Sequence, residues 1–434
     1  MQKKALGAAM AGHIVESFDF IIYGYSATIL AKHFFPSANP ALALLSTLAI
    51  YGVAFIVRPL GGAVFGSMGD RLGRRTALCT VVLIMAVSTG AIGVLPTYAA
   101  AGIVAPVLLL LCRLGQGLSM GAEYTSAASY VMEQAPPSRR GRWISAVGGA
   151  TFIGAALAVF LLLGLQLSAA GAYADWSWRV PFLVGGAIAL IGLYMRLRLA
   201  ESRAFTTLAE RGETTSTPVR DSLRNWRVFL LLLVIFALLA LVSQNFLGYL
   251  PTYLTVTGRL APVTVLVASG IALVLCTGLS LLTGVLADRF GRKPLLVAGV
   301  VAAVLGSVPA YLVAAGGSLA TTVIAEILLV IPAAVVGITA TMVAVELVPV
   351  RIRATSTALT YNISYAVFGG TAPFVGALIT AKFGKLAPGA YITIIAALAL
   401  VVVLVALPET KNRLMPAPSR SDDPDFVPDA LPHA

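Results

Sequence analysis

The sequence predicts an all-α polytopic membrane protein with twelve transmembrane helices in two pseudo-symmetric six-helix bundles. Three observations predict it. Of 434 residues, 59% are hydrophobic and only 11% charged, against roughly a quarter charged in a soluble domain, so lipid must be the solvent for much of the surface. Apolar stretches of about 20 residues, long enough to cross the hydrocarbon, recur along the chain. Finally, a charged turn, Gly66-Ser-Met-Gly-Asp70-Arg71-Leu-Gly73-Arg74-Arg75, returns as Gly284-Val-Leu-Ala-Asp288-Arg289-Phe-Gly291-Arg292-Lys293, its aspartates 218 positions apart (288 − 70). A motif that returns at half the chain length implies two homologous bundles.

The first six spans are expected near 11–32, 43–65, 76–95, 101–132, 143–168 and 180–199, the second six near 228–256, 263–287, 294–315, 318–347, 355–381 and 388–407. This divides the chain into an N-terminal bundle (1–199), a polar, threonine-rich linker (200–227), a C-terminal bundle (228–407) and a disordered tail (408–434). The tail lacks heptads, so no coiled-coil partner is expected. Orientation follows the basic residues. With the amino terminus inside, the even-numbered turns, the linker and both tails hold 23 of the 30 lysines and arginines. Both ends are therefore expected in the cytoplasm of a cell with a bacterial-type inner membrane.

A second duplicated turn supports the repeat: Glu133-Gln-Ala-Pro136-Pro-Ser-Arg139-Arg140 answers Glu346-Leu-Val-Pro349-Val-Arg-Ile-Arg353, the glutamates 213 apart (346 − 133). Aspartates beside helix starts, and arginines near facing helix ends, can pair with each other and with helix dipoles. Asp70, Arg71, Arg74, Asp288, Arg289 and Arg292 are thus candidate gating residues that latch the halves on the cytoplasmic side. Fixing topology alone is the other reading.

Several classes fall away. Cys79, Cys112 and Cys276 are scattered in apolar runs, and His13, His33 and His433 form no cluster, so neither disulfide framework nor metal site is expected. The net charge of +12 sits beside apolar spans, where anionic lipid is the expected partner and nucleic acid is not. Glu16 and Asp19 interrupt what would be the apolar core of a cleavable signal. No hydrolase, zinc-protease or phosphate-binding motif is present. No enzyme activity, catalytic residue or cofactor is expected, and a monomer suffices.

Ionisable groups inside spans are costly unless paired or turned to an aqueous cavity, so each is a functional candidate. In the first span Glu16, Asp19 and Tyr23 fall at i, i+3 and i+7, on one helix face; mutual pairing and a polar path both fit. Arg58 lies inside the second span before Pro59, and must face a carboxylate, a ligand or water. The fourth span carries Arg113, Gln116 and Glu123 among Gly115, Gly117 and Gly121, small residues that let helices approach closely. A carboxylate in a partly dry cavity can take up and release a proton near neutrality, and a nearby cation such as Arg113 sets the balance. Glu123 is preferred as the proton carrier, with Asp19 its rival and Glu16 beside it.

The second half offers neutral groups. Asn245 and Tyr249 punctuate the seventh span, and Tyr361, Asn362 and Tyr365 the eleventh, with Tyr365 about ten residues inside it. These line the pocket opposite Arg58 and Tyr23. Glu326 stands alone in the tenth span and reads as half of a structural pair without a role. The asymmetry suits a small solute whose carboxylate is held by an arginine while neutral groups grip its other end.

The signature at 66–75 and the whole chain from about residue 10 to 410 resemble the major facilitator superfamily. Glu16-x-Phe18-Asp19-Phe20, Arg58-Pro59-Leu60-Gly61-Gly62, Gln116-Gly117 followed by Glu123, Phe34-Phe35-Pro36 and Trp176-x-Trp178-Arg179-x-Pro181-Phe182 resemble its metabolite:proton symporters. The resemblance implies alternating access by two rocking bundles, proton-driven uptake, Arg58 at the carboxylate-binding position, and Asp19 and Glu123 at the proton-linked positions. Members carry citrate, 2-oxoglutarate, shikimate, proline or glycine betaine. Ser17 and Met120 depart from the family pattern, where tryptophan and glycine are usual. Glu123-Tyr124-Thr125 looks more like the betaine and proline carriers, whereas the long C-terminal coiled coil of osmosensing members is missing. A proton symporter for a small organic acid is the first expectation, one for a zwitterionic osmolyte or amino acid the alternative, and an exporter a third reading.

Overall fold

The computed structural model describes residues 2–36, 40–168, 175–198, 206 and 217–411. All regular structure there is helical. In the first half α1 (Gln2–Tyr25) continues past Ser26 as α2 (Ala27–Phe34). It is followed by α3 (Pro40–Arg71), α4 (Arg74–Val94), the short α5 (Tyr98–Ala101), α6 (Val104–Gln134), α7 (Arg140–Ser168) and α8 (Val180–Leu197). A linker helix α9 (Pro218–Arg224) precedes α10 (Trp226–Gln244), which runs through a π-helical turn (Asn245–Tyr249) into α11 (Leu250–Val256). Then come α12 (Pro262–Phe290), α13 (Arg292–Ala314), α14 (Leu319–Leu347) and α15 (Arg353–Ser364). A second π turn (Tyr365–Gly369) joins α15 to α16 (Ala372–Phe383), and α17 (Ala387–Ala406) is last.

Among the described residues, eleven helical stretches are long and apolar enough to cross a membrane. Alongside them α1 and α2 occupy the place of the first expected span. Several helices outrun the expected spans at the charged turns: α3 reaches Arg71, α6 reaches Gln134, and α7 begins at Arg140. Polar residues there continue the helix beyond the hydrocarbon. The 207–216 stretch and the expected tail from 412 lie outside the described residues.

The repeated turn owes its glycine to backbone geometry. Gly73 and Gly291 have φ of 105° and 102°, a region that a side chain disfavours. Each ends one helix and lets the next begin within two residues.

Within the first bundle α3 packs on α6, α4 on α8, and α1 on both α7 and α8; within the second, α13 packs on α14 and α17, and α10 on α15. The bundles meet where α7 lies along α12 and α3 along α15. A Cβ at Gly117 would meet the Ala54 backbone and one at Gly121 the Arg58 carbonyl, so these two glycines set how closely α6 approaches α3. On the face opposite the charged turns, the Phe34 and Trp178 stretches converge. The buried Trp178 ring stacks on His33 at 5.2 Å and lies edge-on to Phe34 and Phe182 at 5.8 and 6.3 Å, with the Arg179 guanidinium over its face at 4.3 Å. This cluster closes the end of the first bundle, away from the cavity between the bundles.

Candidate solute cavity and the contacts that close it

Between the bundles lies a cavity of about 830 Å³ counting its open mouth, walled by α1, α3, α6 and α7 on one side and α10, α14 and α15 with its π turn on the other. Its polar groups are His13, Glu16, Ser17, Arg58, Thr151, Ser243, Gln244, Tyr361 and Tyr365.

Arg58 projects from α3 and is only 4% exposed. Its guanidinium lies over the Phe55 ring at 4.5 Å, with Phe20 at 5.6 Å and Tyr365 at 5.9 Å. Nη2 donates to the Met120 sulfur at 3.3 Å, and Nε has no hydrogen-bond partner. Among the described residues no carboxylate pairs with it. A guanidinium held among aromatic faces at a cavity wall can take a carboxylate ligand. Across the cavity the Tyr361 and Tyr365 rings stack at 4.3 Å, and Tyr361 meets Phe236 edge-on at 5.4 Å. Glu16 lies 3.6 Å from His13 Nδ1.

The first span does not present a single polar face. Glu16 turns to the cavity, whereas Asp19 and Tyr23 turn into the first bundle. Asp19 is wholly buried. Thr89 Oγ1 and Gln116 Nε2 donate to its Oδ1 at 2.9 and 2.6 Å; Arg113 Nη1 stands 3.9 Å from Oδ2 and donates to Gln116 Oε1 at 2.9 Å. The Arg113 guanidinium lies 4.2 Å over the Tyr23 ring, whose hydroxyl donates to the Thr47 carbonyl. A helix advances 100° and 1.5 Å per residue, so Asp19 lies about 60° around the helix from Glu16, and Tyr23 lies two turns along it, near the end of α1.

Four of the expected solute-binding residues are placed away from this cavity. Tyr23 packs on Arg113. Asn245 donates to the Leu241 carbonyl at 2.8 Å and accepts from Tyr311 at 3.0 Å. Tyr249 shares a hydrogen with Thr380 at 2.6 Å in an aromatic group with Tyr253 and Tyr311. Asn362 donates to the carbonyls of Ala358 and, across the bundles, Gly121. Each is engaged by protein groups and stands outside the cavity wall, although Asn362 Oδ1, buried, has no hydrogen-bond partner. The structure brings Arg58, Tyr361, Tyr365 and Glu16 together, with Arg113 and Asp19 one layer behind. The side chains of Glu123 and Arg74 lie outside the described residues. Sequence reasoning passed over His13, Phe20 and Gln244 as wall residues; His13 three positions before Glu16 was the legible signal. The walls from α7 and α14 are mostly small or apolar and carried none.

At the charged turns each aspartate caps a helix of the other bundle. Asp70 Oδ2 accepts from the Thr355 amide at 2.9 Å and its hydroxyl at 2.6 Å, and Oδ1 from the Ala354 amide at 3.3 Å, at the start of α15. Asp288 Oδ1 accepts from the Gly141 amide at 2.7 Å and Oδ2 from the Arg142 amide at 3.2 Å, at the start of α7. A carboxylate on the orphan amides of a helix N-terminus is favoured by geometry and by the dipole. A Cβ at Gly141 would strike the Gly284 carbonyl and the Asp288 carboxylate. The four-residue spacing from Gly284 to Asp288 thus puts the close approach and the cap on one helix face. Behind the caps Arg353 pairs with Glu133 across the bundles at 3.1 Å, and Arg292 pairs with Glu346 within the second bundle at 3.0 Å. Arg71 and Arg289 are exposed, Arg289 lying along Phe290 at 5.2 Å.

A family model described as Major Facilitator Superfamily matches residues 9–373. The chain is 33% identical over 434 residues to the glycine betaine/proline/ectoine/pipecolic acid transporter OusA of Dickeya dadantii, covering 95% of this chain and 84% of that protein. It is 32% identical over 431 residues to the proline/betaine transporter of Escherichia coli K12, with the same coverages. To the inner membrane metabolite transport protein YhjE of that bacterium it is 34% identical, covering 93% of this chain and 94% of the relative. Among solved structures, the proton:xylose symporter XylE bound to 6-bromo-6-deoxy-D-glucose superposes with a TM-score of 0.78 over 96% of this chain and 98% of that one, at 18% identity.

Proposed function

Because the chain belongs to the Major Facilitator Superfamily, a family of multi-pass membrane transporters, we propose that it is a proton symporter for a zwitterionic osmolyte or amino acid of the proline and glycine betaine kind. The carrying observation is the cavity wall: the guanidinium of Arg58, a carboxylate at Glu16, and the rings of Phe20, Tyr361 and Tyr365 around one space. A zwitterion matches it end for end. Its carboxylate meets Arg58, while its ammonium lies against aromatic faces, an attraction of about 0.5–2 kcal/mol, and toward Glu16. The organic-acid reading that the sequence put first gives way here. A di- or tricarboxylate would place a second negative charge beside Glu16 with no second cation on the described walls. The names of the relatives support the same choice.

Coupling runs through α1 and the neighbouring acids. Asp19 moors α1 to α4 and α6 through Thr89, Gln116 and Arg113, one turn from Glu16 in the cavity. A proton on Asp19 weakens that mooring and lets α1, and Glu16 with it, move as solute binds; Glu123 is the second candidate for the same proton. Two bundles, 1–199 and 228–407, rock about the cavity, with Asp70, Asp288, Arg292 and their neighbours closing one end. The working site is a bacterial inner membrane with both termini in the cytoplasm, and a monomer is sufficient.

Purified full-length protein in proteoliposomes under an inward proton gradient tests the reading. Labelled glycine betaine and proline should accumulate, each blocking the other, while citrate, 2-oxoglutarate and shikimate compete poorly. Accumulation of a di- or tricarboxylate that betaine leaves untouched would restore the organic-acid reading. Solute movement only outward would remove both.

A further inference from the structure

Glu326, on α14, is wholly buried. Ser269 Oγ, on α12, donates to its Oε1 at 2.9 Å, and its Oε2 has no hydrogen-bond partner. The other buried acids among the described residues have partners: Asp19 has Arg113, Glu133 has Arg353, Glu346 has Arg292, Asp70 and Asp288 have helix N-termini, and Glu16 opens to the cavity beside His13. Glu326 has no lysine, arginine or histidine partner among the described residues, and seven residues of helix precede it in α14, so no helix end serves it. The pairing expected for it from sequence is not there. A bare carboxylate in such a place is too costly to hold. Such a place suits the neutral acid.

Its surroundings lie between the bundles. Tyr25, the last residue of α1, brings its hydroxyl within hydrogen-bonding range of Ser269 and within electrostatic reach of Glu326. Tyr25 is the titratable group that faces Glu326 from the first bundle, Ser269 is its polar neighbour from α12, and its own helix brings no second charge near. Residue 326 lies near the start of α14, whose far end carries Glu346 at the charged turns. The cluster is thus on the other side of the cavity from the Asp70 and Asp288 caps. Parting of Tyr25 from Ser269 would admit water to a group that is now dry.

We infer that Glu326 is a proton-binding site of the carrier, separate from the acids of the first bundle, loaded when α1 closes over Ser269 at Tyr25 and unloaded when that contact opens to water. The proton comes from water onto a carboxylate oxygen and returns to water, and no other bond changes. The transport arm of the test rests on the reading of the chain as a proton symporter; the spectroscopic arm does not.

Infrared titration of the purified full-length protein in liposomes, without solute, reads the proton directly. The wild type minus E326Q should show a carboxylic-acid carbonyl band at mildly acidic pH that disappears reversibly as the pH is raised. S269A, which keeps the carboxyl and removes its donor, should shift that band and its titration, and it serves as well if E326Q folds poorly. In the transport arm E326Q should retain counterflow of labelled proline while gradient-driven accumulation drops severalfold and loses the wild-type pH profile. A difference spectrum without the band, or with a band unchanged at every pH, overturns the inference. So does an E326Q variant with the wild-type pH profile. If the wild type moves neither proline nor betaine, the symport reading fails on its own and the infrared result still decides whether Glu326 titrates.

Discussion

The carboxylate of Asp70 accepts hydrogen bonds from both the amide and the hydroxyl of Thr355, at 2.9 and 2.6 Å, and so ties the end of α3 to the first turn of α15 in the other bundle. Loss of a helix cap costs about 0.5–2 kcal/mol, which is roughly a 2–30-fold change in a two-state population at 25 °C. D70A should therefore shift the protein toward the state open at the charged turns. Alkylation of a single cysteine placed at the buried Ser356, in a background without native cysteines, should rise by that factor; unchanged labelling would detach the cap from gating.

Arg58 is assigned the solute carboxylate. A hydrogen bond to a charged group contributes about 1.5–3 kcal/mol, so R58A should weaken binding by roughly 10–150-fold, with insertion and helix content intact. Calorimetric titration with proline or betaine measures it. Full affinity in R58A would place the carboxylate elsewhere.

Tyr365 separates ring from hydroxyl. If the aromatic face holds the cationic end, Y365F keeps affinity and Y365A loses about 0.5–2 kcal/mol. The reverse order, with Y365F as weak as Y365A, would make the hydroxyl the contact. Binding of betaine, which has no N–H to donate, is the cleaner probe of the two.

Asp19 and Arg113 are both wholly buried. Removing one partner of such a pair costs about 3–5 kcal/mol because the other is left uncompensated. D19N and R113Q should each melt lower than the wild type, while the double variant recovers much of the loss. D19N should still exchange solute across equal concentrations yet fail to concentrate it against a gradient. Undiminished accumulation in D19N would move the coupling proton to Glu123 or to another acid.

Gly141 stands where any side chain meets the Gly284 carbonyl and the Asp288 carboxylate. Overpacking of this kind costs about 1–3 kcal/mol. G141V should lower thermal stability by that amount and raise labelling at the same Ser356 cysteine, since the two caps close together. Labelling at the wild-type level would uncouple them.

The architecture was legible because it rests on features a linear pattern carries: apolar run length, positive charge at alternate turns, and the duplicated Gly-to-Asp spacing whose aspartates cap opposite helices. The site was legible in part. Arg58, Tyr361 and Tyr365 announced themselves as polar or aromatic groups deep in spans. Tyr23, Asn245, Tyr249 and Asn362 did so equally, but each is engaged by protein groups outside the cavity wall, and nothing in sequence separates a tyrosine bonded to Thr380 from one facing a cavity. The walls given by α7 and α14 were silent because Gly148, Ala155 and Gly337 line the space by being small. Glu326 was visible as a lone acid, yet that no cation among the described residues accompanies it required three dimensions.

The two aspartate caps have a consequence for descent. Asp70 of the first half meets the helix start of the second, and Asp288 of the second meets that of the first, so patch and counter-patch are exchanged as in an isologous two-fold contact. Such a surface is self-complementary. A single ancestral unit of half this length could have closed upon its own copy through the same bonds, before gene duplication joined the pair and freed the solute-facing walls to diverge.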